Sequence, residues 1–304
     1  MQTENSIFAR LTELKLIVVT GKGGVGKSTL TSVLGRLFAD AGRQTFLVEV
    51  DPRENLHQLL GVPPSGGDIV EVAPRLRVQH IEPRTILDDL VREKLKVDVV
   101  ASKVLASPVH KHFTEGAPGL KEAAVFGRIL RLLRGHTPRG IPTPDVVILD
   151  APATGHGVSW LAAAQLVADV ISSGPIGHLA AEVAAFLKDN QQSGVVVITT
   201  GEEMPVQETL ELIHSMRIRL NQAPELVIAN ALYPTLPPEI PAEGEDPLFD
   251  LWYSRRQIND SELERLDEGW LGPLAELPIL PIEPGPALVG RLSRYLKREL
   301  ETGS

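Results

Sequence analysis

A doubly wound α/β fold with a mostly parallel sheet is predicted by two features of this 304-residue sequence. Short runs rich in β-branched residues recur along the chain, and helical patterns separate most of them. The runs are almost continuously apolar, as expected for parallel strands that are covered on both faces. The predicted strands are residues 16–20, 45–50, 76–81, 146–149, 195–200, 226–229 and 277–280.

Helical patterns fill most of the intervals between these strands. Apolar residues recur three or four positions apart in residues 30–38 and again in residues 206–220, which is typical of helices that cover a sheet. Two intervals differ. Residues 82–144 predict an inserted helical subdomain, and residues 234–250, rich in proline and acidic residues, predict a flexible loop. Because no internal repeat is present, residues 1–304 are predicted to form a single domain.

Composition narrows the class of protein. The sequence contains no cysteine, which excludes disulfides, thiolate metal sites and iron–sulfur clusters. A formal net charge of −9 disfavours binding of nucleic acid through charge. The N-terminal residues lack the pattern of a signal peptide, and no stretch reaches the roughly 18 apolar residues of a membrane span. We therefore expect a soluble, cytoplasmic protein.

The segment GKGGVGKST, residues 21–29, directly follows the first predicted strand and precedes a predicted helix. It fits the pattern G-x-x-x-x-G-K-[ST], in which glycines let backbone N–H groups face a polyphosphate at a helix N-terminus. Lys27 is predicted to reach the β and γ phosphates of ATP, and Ser28 to hold Mg²⁺ through its hydroxyl. The predicted nucleotide-binding residues of this loop are Gly21, Gly23, Gly24, Val25, Gly26, Lys27, Ser28 and Thr29.

Two acidic residues end predicted strands. Asp150 ends the stretch PDVVILD and is predicted to hold the magnesium ion through a water molecule. Asp51 ends the stretch TFLVEVD, and we expect it to lie beside the first strand and to orient the attacking water. A helix cap or a loop turn is the alternative interpretation of Asp51.

With these pieces in place, the chain resembles the deviant Walker A ATPases, in which the loop reads K-G-G-x-G-K-[ST]. More narrowly it resembles the arsenical pump-driving ATPases and their relatives that target tail-anchored membrane proteins. The similar segments include DPRENL at residues 51–56 and DAPATGHG at residues 150–157, which correspond to the two switch segments of that family. Further similar segments are PGLKEAAVFGRIL, VVVITTGEEMPVQETLELI, VIANALYP and LPILPIEP.

The resemblance implies an Mg-dependent ATPase that works as a molecular switch, with nucleotide held between the subunits of a homodimer. It implies that Lys22 reaches across the dimer to the partner's nucleotide, and that Asn230 contacts the adenine base. A solvated lysine at a turn and a buried asparagine at a strand end are the plainer interpretations. Arg53 and Glu54 differ from the family's first switch and Ala151 from its second, so the resemblance implies no phosphate contact for these three residues.

The client does not follow from the resemblance. Without cysteine the chain lacks the soft thiolates that bind arsenite, so we expect no arsenite. The Cys-x-x-Cys zinc site that joins eukaryotic targeting relatives is absent too. None of the three methionines lies in the predicted helical subdomain, and its apolar stripes favour a core over a client groove. A membrane protein or a small molecule remains open as the client.

Two other functions stay open. A positioning ATPase that acts on membrane or DNA is suggested by the basic face of an amphipathic helix in residues 286–300, which would place the protein at a membrane periphery. A helix packed on the core explains the same pattern. A biosynthetic ligase that uses ATP to activate a carboxylate is the third possibility. His156, within the second switch segment, is open between sensing and packing.

Overall fold

The computed structural model describes residues 6–51, 53–95, 107, 116–152, 157–171, 173–236 and 247–302. The strands are β1 Leu16–Gly21, β2 Thr45–Glu49, β3 Ile69–Ala73, β4 Leu76–His80, β5 Val146–Asp150, β6 Ser193–Thr200, β7 Leu226–Leu232 and β8 Leu274–Pro278. The helices are α1 Ile7–Glu13, α2 Lys27–Asp40, α3 Asn55–Leu60, α4 Pro83–Leu95, α5 Leu120–Leu133, α6 Gly157–Val170, α7 Gly174–Lys188, α8 Glu203–Leu220, α9 Pro247–Gly269 and α10 Pro286–Thr302.

The strands form one sheet in the order β3-β4-β2-β5-β1-β6-β7-β8. Neighbouring strands are parallel from β4 through to β8, and β3 is antiparallel to β4 at the edge. The predicted doubly wound α/β fold is therefore confirmed. The sequence pattern missed β3, because this edge strand is only partly buried and lacks a continuous apolar run.

Successive residues of each buried strand belong to opposite faces of the sheet, since side chains alternate along a strand. Val18 of β1 belongs to a core cluster with residues of α5, α6, α7 and α8. Its neighbour Val19 belongs to a second cluster with residues of α1, α2, α3 and α10. Both faces are therefore covered by helices, which explains the nearly uninterrupted apolarity of these strands.

The amphipathic C-terminal helix α10 packs on the core. Its apolar side chains are buried against α2 and neighbouring elements, while its basic side chains face outward. The packing interpretation thus accounts for the apolar stripe, and that stripe is not free to enter a membrane. The buried residues are Val289, Leu292, Leu296 and Leu300.

Two predicted segments lie only partly within the described residues. Of the predicted helical subdomain, 82–144, the structure describes α4 and α5, and residues 96–106 and 108–115 lie outside the description. Helix α5 packs directly on the sheet layer and α4 packs on α5. Of the predicted loop 234–250, residues 237–246 lie outside the description, and the last four residues begin α9. Within the described residues, no helix combines the length and apolarity needed to cross a membrane.

Candidate nucleotide site

Residues 21–29 form the turn between β1 and α2. Gly24 and Gly26 have positive φ angles of 89° and 93°, a region that side-chain-bearing residues rarely adopt. A Cβ on Gly26 would also lie 2.4 Å from Nδ2 of Asn230. The loop therefore needs glycine both for its backbone path and for its close approach to β7.

Lys27, the first residue of α2, folds back over this loop. Its Nζ donates a hydrogen bond to the carbonyl oxygen of Lys22 at 2.8 Å, and the residue is only 8% exposed. Burial lowers the pKa of Lys27, while the charges of Asp150 and Asp51 oppose that change. The ammonium group thus lies among carboxylates at the mouth of the loop, where it can bind phosphate oxygens.

Asp150 lies next to the loop because β5 pairs directly with β1, with Asp150 opposite Val19. Ser28 Oγ donates to Asp150 Oδ2 at 2.6 Å, so the two predicted magnesium ligands are in contact. Burial raises the pKa of Asp150 to about 6, although hydrogen bonds from Ser28 and the charge of Lys27 lower it. A serine hydroxyl beside a carboxylate is an all-oxygen donor set that fits Mg²⁺.

Asp51 follows the end of β2, but it does not lie beside the first strand as expected. The sheet order places β5 between β2 and β1, so the prediction of direct neighbourhood was wrong. Asp51 Oδ1 accepts a hydrogen bond from the amide of Arg53 at 3.0 Å, which is the loop turn of the alternative interpretation. Asp51 is still close enough to Lys27 for its charge to act on the lysine pKa.

Glu49 is an acidic residue of the site that the sequence interpretation missed. It is fully buried at the end of β2, in register with Asp150 on β5 and His80 on β4. Burial raises the pKa of Glu49 to about 7, and the charges of Asp150 and Asp51 add to that effect against hydrogen bonds from two backbone amides. A charged residue inside an otherwise apolar strand was the signal available in the sequence.

Glu54, which differs from the residue at this position in the family's first switch, lies close to two histidines and to the amide of Ser65. Its carboxylate oxygens lie 3.4 Å from Nδ1 of His57 and 3.8 Å from Nδ1 of His80. It also accepts a hydrogen bond from the amide of Ser65 at 3.3 Å. Glu54 is therefore bound to the segment before β3 through the amide of Ser65, with its carboxylate close to the two histidines.

Asn230 lies near the end of β7, at an irregularity between Ala229 and Leu232. Ala231 has a φ of 58°, so the backbone departs from a regular strand immediately after the asparagine. Asn230 Nδ2 donates to the carbonyl oxygen of Val25 at 2.9 Å. The structure thus brings the residue predicted for base contact against the phosphate loop.

Asn259 of α9 supports the same edge of the sheet and was not singled out in the sequence. Its Oδ1 accepts from the amide of Tyr233 at 2.8 Å, and its Nδ2 donates to the carbonyl of Gly201 at 2.7 Å. One buried side chain thereby connects the segments that follow β6 and β7. No local sequence pattern indicates such a bridge, because its partners are far apart in the chain.

Lys22, the additional lysine of the loop, forms an ion pair within its own chain. Its Nζ lies 2.5 Å from Oε1 of Glu208 on α8, and the two side chains are 35% and 38% exposed. This partner was not predicted. His156, the other residue singled out in the switch segments, lies outside the described residues together with residues 153–155.

The two buried acids predict how stability depends on pH. The pKa values of Asp150 and Glu49 rise from 3.8 and 4.5 to about 6 and about 7, so the folded protein holds protons that the unfolded chain releases. These two acids therefore contribute stability that is lost as pH rises from about 4 to about 7, and we expect their effect to exceed the opposite one of His57, whose pKa burial lowers. Thermal unfolding measured in EDTA across this range checks it; a midpoint that rises or stays level contradicts it.

The parallel sheet, the glycine loop between β1 and α2, and the lysine, serine and aspartate around it define a P-loop nucleotide-binding protein. A family model described as anion-transporting ATPase matches residues 14–173, more than half of the chain. The chain therefore belongs to the anion-transporting ATPase family, and the family resemblance seen in its motifs is confirmed.

Individual relatives agree with this assignment. The chain is 31% identical over 215 residues to ATPase BagA of Mycobacterium tuberculosis, covering 68% of this chain and 62% of that protein. It is 25% identical over 213 residues to ATPase get3 of Schizosaccharomyces pombe, covering 69% and 59%. A Halobacterium salinarum protein named as an arsenical pump-driving ATPase is 25% identical over 293 residues, covering 90% and 42%. The chain thus spans less than two thirds of the length of these relatives.

Proposed function

We propose that this protein is an Mg-dependent ATPase that works as a molecular switch in a homodimer with nucleotide held between the subunits. The contact of Ser28 with Asp150 beside the buried Lys27 carries the nucleotide-binding part of this proposal, and the homodimeric switch rests on the family resemblance. This arrangement of side chains provides a cation for phosphate and an oxygen pair for magnesium at one end of the glycine loop. The family of ATPases to which the chain belongs supports the same reaction.

The residues have distinct roles in the proposed reaction. The backbone N–H groups of residues 21–29 bind the phosphates, and Lys27 neutralises charge on the β and γ phosphates. Ser28 and Asp150 would hold Mg²⁺, which would supply additional neutralisation of the phosphates. Asp51 orients the attacking water.

Two further roles involve groups beyond the phosphates. Asn230 contacts the adenine base, since an amide both donates and accepts hydrogen bonds and this one already lies against the loop at Val25. Lys22 leaves Glu208 and neutralises phosphate charge in the partner subunit, the equivalent of an arginine finger. This requires the ion pair with Glu208 to break, which costs little because both side chains are about one third exposed.

The client belongs to one of two classes, a membrane protein or a small molecule. The name of the Halobacterium salinarum relative refers to arsenical pumping. Because this chain has no cysteine, it cannot offer thiolates to arsenite, and we propose a client other than arsenite. A cytoplasmic location, with contact to a membrane only through a client, is consistent with this role.

Light scattering with size-exclusion chromatography tests the proposal. Asp51→Asn should bind Mg·ATP without hydrolysing it and should form a dimer with ATP but not with ADP. Asp40→Asn, at the far end of α2 where Asp40 pairs with Arg36, is the matched control and should hydrolyse ATP normally. A monomer in every nucleotide state would rule out the homodimeric switch. Affinity capture on the Asp51→Asn protein held with ATP would then identify the client.

A further inference from the structure

We propose that Glu49 is a positioning residue for ATP hydrolysis, which fixes the start of α3 and thereby the short segment that carries Asp51. This inference rests on the role proposed for Asp51. The elements involved are β2 and α3, together with the described residues between them, 50, 51, 53 and 54.

The start of α3 depends on Glu49 for its hydrogen bonds. Glu49 Oε1 accepts from the amide of Asn55 at 2.7 Å, and its two carboxylate oxygens accept from the amide of Leu56 at 3.3 and 3.2 Å. The residue before the helix, Glu54, has φ 47° and ψ 50° and provides no side-chain cap. The free N–H groups at a helix start need acceptors, and Glu49 provides them from the neighbouring strand.

A helix of six residues is too short to be stable in isolation, so contacts from outside determine where it lies. Two acids provide such contacts at its start. Glu49 holds the amides of residues 55 and 56, and Glu54 lies between His57 and His80. Asp51 lies within the four-residue interval between these two anchors. A displacement of Asp51 is therefore limited by the hydrogen bonds of Glu49.

The burial of Glu49 argues that this contact has a function. A carboxylate at zero exposure is costly unless hydrogen bonds or a cation compensate it. The other residues of β2, TFLV, are buried as well, and a valine or isoleucine at position 49 would suit such a strand better. The acid also lies in register with Asp150, the proposed magnesium-binding residue. Glu49 therefore lies on the strand next to the one that carries the carboxylate proposed for magnesium.

Two substitutions at position 49 test the proposal. Glu49→Met removes every acceptor at similar volume, and Glu49→Gln keeps one acceptor oxygen. We expect Glu49→Met to keep its affinity for Mg·ATP within about twofold and to lose about tenfold to a hundredfold in kcat, as expected for a misplaced catalytic segment. Glu49→Gln should recover part of this loss. Hydrogen exchange of the amides of Asn55 and Leu56 should speed up in the same order, most in Glu49→Met.

Glu225 is the matched control. It is an acid at the opposite end of the sheet, where it pairs with Arg10, and Glu225→Met should leave kcat and the exchange of α3 unchanged. A folded Glu49→Met protein with wild-type kcat would overturn the proposal, as would an equal loss of affinity and kcat with unchanged exchange. If Glu49→Met does not fold, Glu49→Gln with wild-type kcat and exchange would overturn it instead. Wild-type hydrolysis by Asp51→Asn would reject the role of Asp51 while leaving the exchange result as a separate test.

Discussion

Lys27→Ala is expected to abolish ATP hydrolysis and to weaken the binding of Mg·ATP at least about a hundredfold. The lysine is the first residue of α2 and its ammonium group is held over the loop by the carbonyl of Lys22. Without it, phosphate would meet Asp150 and Asp51, whose charges act on this position. Electrostatic repulsion would then replace attraction at the mouth of the loop. Titration with a fluorescent ATP analogue and phosphate release measure the two effects.

Lys15→Ala is the control for this experiment. Lys15 precedes β1, at the end of the strand opposite to the loop, and its Nζ donates to Gln192 at 3.2 Å. Its removal changes the net charge by the same amount and should leave binding and turnover unchanged. Wild-type affinity in Lys27→Ala would mean that the glycine loop does not bind polyphosphate.

Lys22→Ala should retain ATP binding but lose hydrolysis and ATP-dependent dimerisation. The reason is that one loop already has Lys27, whereas Lys22 is placed at the surface with its ammonium group directed to α8. An additional cation that reaches the partner's phosphates would act only when two subunits meet. Binding, turnover and molar mass in solution have to be measured on the same variant. Wild-type turnover in Lys22→Ala would show that Lys22 has no role in hydrolysis.

The ion pair of Lys22 with Glu208 leads to a further prediction about dimerisation. A pair about one third exposed is worth at most about 1 kcal/mol. Glu208→Gln should release Lys22 and favour the ATP-bound dimer by up to about fivefold, because the pair no longer has to be broken. Glu211→Gln, one turn further along α8, is the control. Weaker dimerisation in Glu208→Gln would instead indicate that Glu208 itself supports the dimer.

The parts of the site that could be predicted from the sequence are the glycine loop, which is one continuous segment, and residues at the carboxyl ends of strands. The glycine loop is followed by its helix within nine residues, so the placement of Lys27 and Ser28 follows from the motif alone. Asp150 was also placed correctly, since the carboxyl ends of parallel strands meet at one edge of a sheet. Asn230 was expected here from the family resemblance and from its position at a strand end, and it lies against the phosphate loop.

The parts that could not be predicted depend on the order of strands and on pairs distant in the chain. Nothing in the local pattern of β2 shows that β5 lies between it and β1. The prediction that Asp51 lies beside β1 was wrong for this reason. The pairing of Lys22 with Glu208 joins residues 186 positions apart. Glu49 was missed because the pattern of a buried strand directs attention to its apolar residues, while its use depends on a helix that starts six residues later.

The packing of α10 has a consequence for experiments on the C-terminal part of the chain. Its apolar stripe forms one wall of the core beside α2, the helix that begins at the phosphate loop. Removing the helix would uncover apolar side chains of the core beside α2, and the shortened protein would aggregate or bind vesicles nonspecifically. Vesicle binding by a truncated protein would therefore report the exposed apolar core and not a membrane-binding site. Neutralising exposed Arg294 and Lys297 is the substitution that examines the charge of this surface while its buried side stays intact.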